Sequence, residues 1–185
     1  MNTISPKSYA AIIEAAFATF SARPTATLAD VAEAAGVGRA TLHRHFAGRD
    51  ELMVALAHQA MEELDTAFDD ATRDAASYAE ALRLGLAAMI PLGDRQLFLA
   101  SEPVDRDPEI AARYRDDLAE LAKTVDAAKE EGAFERHIPT DWIVKSYEAL
   151  LFAAWEALRD GELTAAQAAD LAWRTLTRGT APDVP

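Results

Sequence analysis

Three arginines, Arg39, Arg44 and Arg49, fall within eleven residues of one another, interleaved with His43 and His45. Guanidinium groups suit phosphate oxygens and base edges, because each planar fork donates two hydrogen bonds at once. Residue types for other chemistry are present but badly spaced. His43 and His45 project about 200° apart on a helix, which is wrong for sharing one metal ion. His58 and His137 stand alone, and no H-E-x-x-H occurs. Adjacent carboxylates such as Glu130-Glu131 and Asp116-Asp117 diverge on a helix and are unsuited to paired acid-base work. Among only eight glycines there is no phosphate-cradling loop, and no nucleophile elbow is present. The expectation is a chain with no catalytic centre, no metal site and no cofactor.

The elements that must position the arginines are legible from Thr27 to Leu52, TLADVAEAAGVGRATLHRHFAGRDEL. A Thr27 hydroxyl ahead of an apolar-periodic run, with Asp30 three residues on, predicts a helix starting at Leu28. Val31, Ala32 and Ala35 make its inner stripe, and Gly36 predicts its end, because glycine tolerates the left-handed conformation. After the turn Gly36-Val37-Gly38, a second helix is predicted from about Arg39 to His45, with Leu42 and Phe46 on its buried face. Successive residues turn by about 100°, so Ala40, Thr41 and Arg44 point furthest outward and His43 and His45 flank them. Arg39 lies at the helix start, nearer the buried side. Two short helices about a glycine turn make a helix-turn-helix, whose second helix enters the major groove of DNA. Two rivals stay open: an all-α enzyme using an interhelical pocket, and a helical interaction module that does not bind DNA.

These residues carry a family resemblance. The stretch Ile12 to Phe20 (IIEAAFATF), then Thr27, Asp30-Val31-Ala32, Ala35-Gly36-Val37, Arg39-Ala40-Thr41-Leu42, Arg44-His45-Phe46 and Asp50-Glu51-Leu52 resemble the N-terminal domain of the TetR/AcrR family of bacterial transcriptional regulators. The resemblance covers roughly the first quarter of the chain. It implies that Thr27, Arg39, Ala40, Thr41, His43, Arg44, His45 and Arg49 approach DNA, with Arg49 on the phosphate backbone. It implies also a repressor that binds a palindromic double-stranded DNA operator as a homodimer under the control of a small-molecule effector, as yet unidentified. Three positions depart from the family pattern. His43 stands where a tyrosine is usual, Gly38 replaces a serine and so loses a hydroxyl cap, and Arg49 replaces a lysine.

Composition agrees with an all-α chain of two parts. Of 185 residues, 50% are hydrophobic. Alanine abounds and β-branched runs are nearly absent, which favours helix over strand. There is no cysteine, so disulfides and thiolate metal sites are excluded. No basic leader precedes an apolar stretch, and the longest apolar run, Ala149 to Trp155, falls far short of a bilayer. A soluble, cytoplasmic chain with no membrane partner is expected. The boundary is drawn between a helix-turn-helix domain of residues 1–50 and a helical bundle of residues 51–185.

In the second part, helical patterns run from Arg49 to about Asp74, Tyr78 to Ile90, Pro108 to Glu131, Thr140 to Arg159, and from the Thr164/Gln167 capping box to about Arg178. The helix from Thr140 is apolar nearly all round, so it needs cover on both sides. With the resemblance, Tyr147, Leu151, Ala154, Leu158, Ala168, Ala172 and Leu176 are the candidates for a four-helix contact across a two-fold axis. Met89, Leu92, Phe98, Leu99, Tyr114, Phe134 and Trp155 surround a proline-broken helix, where a bundle opens most easily into an effector pocket. The acidic composition there tilts the effector toward a cation.

The net charge of −13 looks wrong for a DNA binder, yet residues 1–50 carry a net +1, which leaves −14 for residues 51–185. Such a body repels bulk DNA and leaves a few site-specific contacts to decide. The expected outcome is weak non-specific affinity and a shallow dependence of log K on log salt. A slope implying many more phosphate contacts than three arginines per chain can make would overturn this.

Overall fold

The computed structural model describes residues 6–93, 95, 98 and 107–180, the last two by backbone alone. Among the described residues there are eight α-helices, one 3-10 turn and no strand. They are α1 (Pro6–Ala22), α2 (Leu28–Ala34), α3 (Arg39–His45), α4 (Arg49–Thr72), α5 (Tyr78–Met89), the turn Ile90–Leu92, α6 (Pro108–Glu130), α7 (Thr140–Arg159) and α8 (Ala165–Thr180). The fold is all-α, as composition and periodicity require.

Local chemistry explains the boundaries. α2 begins with a reciprocal capping box between Thr27 and Asp30. It ends at Gly36, whose φ of 65° is open to glycine at little cost. There the Gly36 N–H donates to the Glu33 carbonyl at 3.0 Å and the Val37 N–H to the Ala32 carbonyl at 2.9 Å. This pair of backward bonds satisfies carbonyls that the helix end leaves open. The same device closes α6 at Gly132 and α7 at Gly161. Ser77 caps α5 by accepting from the Glu80 N–H at 3.1 Å. Asp107 does so for α6, accepting from the Glu109 and Ile110 amides at 2.9 and 3.2 Å. A Thr164/Gln167 box opens α8.

Packing divides the described residues into two compact units, one within Met1–Glu62 and Asp94–Ile110, the other within Glu63–Gly93 and Ala111–Pro185. The division falls inside α4 rather than ahead of it. Leu52, Leu56, Ala57, Ala60 and Met61 bury in one cluster with Ile13, Phe17, Val31, Leu42 and Phe46. In the first unit, α1 offers Ile12, Ile13, Ala16, Phe17 and Phe20 at three- and four-residue spacing as the wall on which the two short helices rest.

The second unit buries Leu82, Leu86 and Ile90 with Val125 and Ala128 of α6 and a long stripe from α7 and α8. That stripe holds most of the residues assigned from sequence to a face between two copies. Tyr147, Leu151, Ala154, Ala168, Ala172 and Leu176 are all buried within the single chain, and Leu158 is half-buried. The Tyr147 hydroxyl donates to the Leu82 carbonyl at 3.0 Å, which satisfies a polar group inside the core. The stripe selected by periodicity is the one that closes α7 onto α8. The other side of α7 remains in the open, with Ala149, Phe152 and Ala153 exposed.

Two glycines mark close approaches in this unit. A Cβ on Gly85 would sit 2.2 Å from the Phe68 ring, and one on Gly93 would sit 0.8 Å from Cδ1 of Trp155. The indole occupies the space that a side chain at position 93 would need. Gly85→Ala is expected to cost about 1–3 kcal/mol by overpacking, and Gly93→Ala more, because the whole indole must move. Gly48→Ala, with nothing within 4 Å of the added carbon, should change stability by less than about 0.5 kcal/mol. Thermal denaturation of the three variants checks the ordering.

Candidate nucleic-acid interface

The arginine-bearing helix α3 has seven residues, too few to persist alone, so its geometry is set by what it rests on. Leu42 is 1% exposed and Phe46 is buried beside it. With those two inside, Arg39, Ala40, His43 and Arg44 are exposed and Thr41 is half-buried. Gly38 occupies the N-cap in extended conformation with no side-chain cap, as the missing hydroxyl requires. Arg44 has a partner within α3. Its Nη2 donates to the Thr41 hydroxyl at 2.9 Å, which lays the guanidinium along the outer face of the helix.

Three further residues expected at a DNA surface have internal partners. His45 turns toward α1, its Nε2 lying 2.8 Å from the Ser8 hydroxyl and its ring 5.9 Å from that of Tyr9. Tyr9 in turn packs on Phe46 at 5.5 Å. No sequence signal joined Ser8 or Tyr9 to α3, since 37 residues separate the hydrogen-bonded pair. Thr27 directs both its N–H and its hydroxyl at the Asp30 carboxylate, at 2.6 and 2.7 Å, and accepts from the Asp30 N–H at 3.3 Å. Arg23 pairs with the same carboxylate at 3.0 Å.

The Thr27 backbone N–H, then its hydroxyl, hold the Asp30 carboxyl below its ordinary value, with a smaller contribution from Arg23. A folded value below the unfolded one means that this cap stabilises above the usual carboxylate range and fails as pH falls through the lowered value. Arg49 is the third residue with internal partners. Its Nη1 donates to the Ala26 carbonyl at 2.7 Å and its Nη2 to the Pro24 carbonyl at 2.9 Å, with the group centred 4.2 Å over the Phe20 ring.

The residues proposed for an effector pocket are scattered. Phe98 belongs to the first unit's core, edge-on to Phe17 at 5.6 Å, and Leu99 lies outside the described residues. Phe134 is buried and edge-on to Trp173 at 6.4 Å. Tyr114 is exposed on α6, donating to Glu148 at 2.7 Å; partial desolvation and then that carboxylate raise its phenol above the usual range. Met89 and Leu92 open and close the Ile90–Leu92 turn, and the Trp155 indole lies against Gly93, which follows it. An open cleft of about 540 Å³ borders the α6–α7 loop, lined by Lys129, Glu131, Phe134, Glu135, Arg136 and His137 among others. Of the seven candidates, Phe134 alone lines it. Among the described residues no three His, Asp or Glu side chains are grouped to hold a metal ion, and no helix is long and apolar enough to cross a membrane.

Residues 12–56, spanning most of α1 through the first part of α4, match the family model described as bacterial regulatory proteins, tetR family. The HTH-type transcriptional repressor LfrR of Mycolicibacterium smegmatis is 34% identical over 170 residues, 91% of this chain and 88% of its own length. The chain belongs to the TetR family of bacterial transcriptional regulators. Its fold matches the crystal structure of LfrR from Mycobacterium smegmatis in complex with proflavine with a TM-score of 0.80, at 31% identity over 96% of this chain and 98% of that one. AibR in complex with isovaleryl coenzyme A and operator DNA shares the fold with a TM-score of 0.77, at 21% identity over 92% of this chain and 98% of that one. This TetR-family chain is a DNA-binding transcriptional regulator and not an enzyme.

Arg44 is exposed on α3 with its guanidinium on the Thr41 hydroxyl, and a base-reading role for it is open to direct test. Arg44→Ala should lower affinity for a preferred duplex by about 1–3 kcal/mol and change base preference, with a smaller effect on scrambled DNA. Thr41→Val, which keeps the shape and removes the acceptor, should reduce discrimination in the same direction by less. Fluorescence anisotropy on the two duplexes decides. Equal losses on both would make Arg44 a phosphate contact.

Proposed function

We propose that this TetR-family protein is a homodimeric repressor that binds an inverted-repeat operator and is controlled by a small molecule held in its second unit. The observation that carries the reading is α3 itself. Leu42 and Phe46 are sunk in the core, and Arg39, Ala40, Thr41, His43 and Arg44 lie on the remaining surface, inside the segment that matches the family model.

A single such helix presents too few cations to hold DNA at ordinary salt, because affinity grows with the number of phosphates neutralised. Pairing doubles the contacts and supplies the two-fold symmetry of an inverted repeat, with half-sites roughly 34–36 Å apart. The surface suited to pairing is the outward side of α7 and α8. Phe152 is 37% exposed there and Leu171 51%, with Ala149 and Ala153 small enough for close helix approach. Exposed large apolar residues on neighbouring helices favour burial against a second copy. Tyr147, Leu151, Ala154, Ala168, Ala172 and Leu176 support that face from within.

For the effector, the LfrR structure holds proflavine, a flat aromatic cation. The net −14 of residues 51–185 suits a ligand of that charge. Met89, Leu92 and the buried Trp155, near the Ile90–Leu92 turn, are apolar and aromatic groups of the kind such a ring stacks on.

Two measurements test the reading. DNase footprinting should protect an inverted repeat, and proflavine should alter that protection. Phe152→Glu or Leu171→Glu should halve the mass measured by sedimentation and lower operator affinity at least tenfold. A monomeric wild-type protein that still protects both half-sites would overturn the dimer.

A further inference from the structure

We infer that Arg49 is a positioning residue for operator recognition. Its guanidinium holds the Pro24–Ala26 segment, and through it the start of α2, and makes no phosphate contact. This rests on the regulator reading and deepens it by giving one residue a role that the resemblance assigns otherwise.

Three contacts point the group inward. Nη1 reaches the Ala26 carbonyl at 2.7 Å, Nη2 reaches the Pro24 carbonyl at 2.9 Å, and the guanidinium carbon lies 4.2 Å over the centre of the Phe20 ring. Phe20 is buried at the end of α1 and Ala26 is buried in the same cluster. Arg49 therefore ties the first residue of α4 to the end of α1 and to the connection before α2. Charge-assisted bonds to carbonyls and a cation over an aromatic face are both strengthened by partial burial.

What the clamp holds matters for recognition. The Ala26 carbonyl belongs to the residue immediately before Thr27, whose extended backbone and capping bonds with Asp30 set where α2 begins. α2 leads through the Gly36 turn into α3, so a shift at Ala26 is carried into the surface bearing Arg39 and Arg44. Arginine is required for this task. A lysine keeps the charge, but its single ammonium lacks both the fork that spans two carbonyls and the plane that covers a ring.

That difference separates positioning from phosphate binding. The probe is a duplex selected from a random pool by the wild-type protein, compared with a scrambled duplex of equal length over a salt series. Arg49→Lys and Arg49→Ala are both expected to lose at least tenfold on the selected duplex and little on the scrambled one, with an unchanged slope of log K against log salt. Phe20→Leu, which leaves the Arg49 charge in place, should lose part of the same selectivity. Hydrogen exchange at Thr27 and Leu28 should quicken in Arg49→Lys while that of Leu42 does not.

Wild-type affinity in Arg49→Lys, together with a slope reduced by about 1 in Arg49→Ala, is the signature of a phosphate contact and would overturn the inference. So would folded variants that melt earlier yet bind the selected duplex as the wild type does, since that marks a purely structural role. A wild-type protein that selects no duplex from the pool would sink the regulator reading, and this inference with it.

Discussion

A helix of seven residues does not hold together in water, because nucleating a turn costs more than two turns of hydrogen bonds return. The helix-turn-helix of this protein is built from two such helices, α2 and α3. The burial of Leu42 and Phe46 against the α1 wall is the interaction on which the remainder depends. It selects which face of α3 is outward, and it makes the stability of the first unit a property of tertiary packing rather than of local propensity. The caps then set the ends. Thr27 and Asp30 satisfy the first amides of α2, the Gly36 turn satisfies its last carbonyls, and α3 begins at Gly38 with no side-chain cap at all.

Electrostatics in the first unit follow from the same shortage of structure. Several of its charged and polar groups brace the fold. Arg23 and Thr27 serve Asp30, Arg49 serves two carbonyls and a phenyl ring, and His45 meets Ser8. Those groups are engaged within the fold, and residues 51–185 carry a net −14.

Structure set by contacts between near neighbours in the chain is legible in the sequence, and structure set by distant ones is not. α3 was legible from Arg39 to His45 and α7 from Thr140 to Arg159, because a glycine turn, a proline and a persistent apolar period are all local signals. The caps at Thr27 and Thr164 were legible for the same reason, their partners lying three residues away. The outward positions of α3 followed once Leu42 and Phe46 were placed inside. His45 did not follow, because its partner lies on another helix. The residues assigned to an effector pocket are separated by packing that the sequence does not record. Phe98, Tyr114 and Phe134 look alike as aromatic residues near helix breaks, yet one sits in the first unit's core, one is exposed beside Glu148, and one packs on Trp173.

By itself the sequence determined an all-α chain, the ends of most helices, the helix-turn-helix and its family, since each depends on contacts within about one helical turn or on a pattern of residue types. Only the tertiary structure decided which side of α7 meets α8, where the packing divides within α4, and that Arg49 faces inward. Each of those choices compares two chemically similar faces or partners. An apolar stripe on a helix is equally suited to its own core and to a second copy, and a guanidinium equally to a carbonyl and to a phosphate. The outcome rests on which group folding brings within 3 Å, and spacing along the chain carries no record of that.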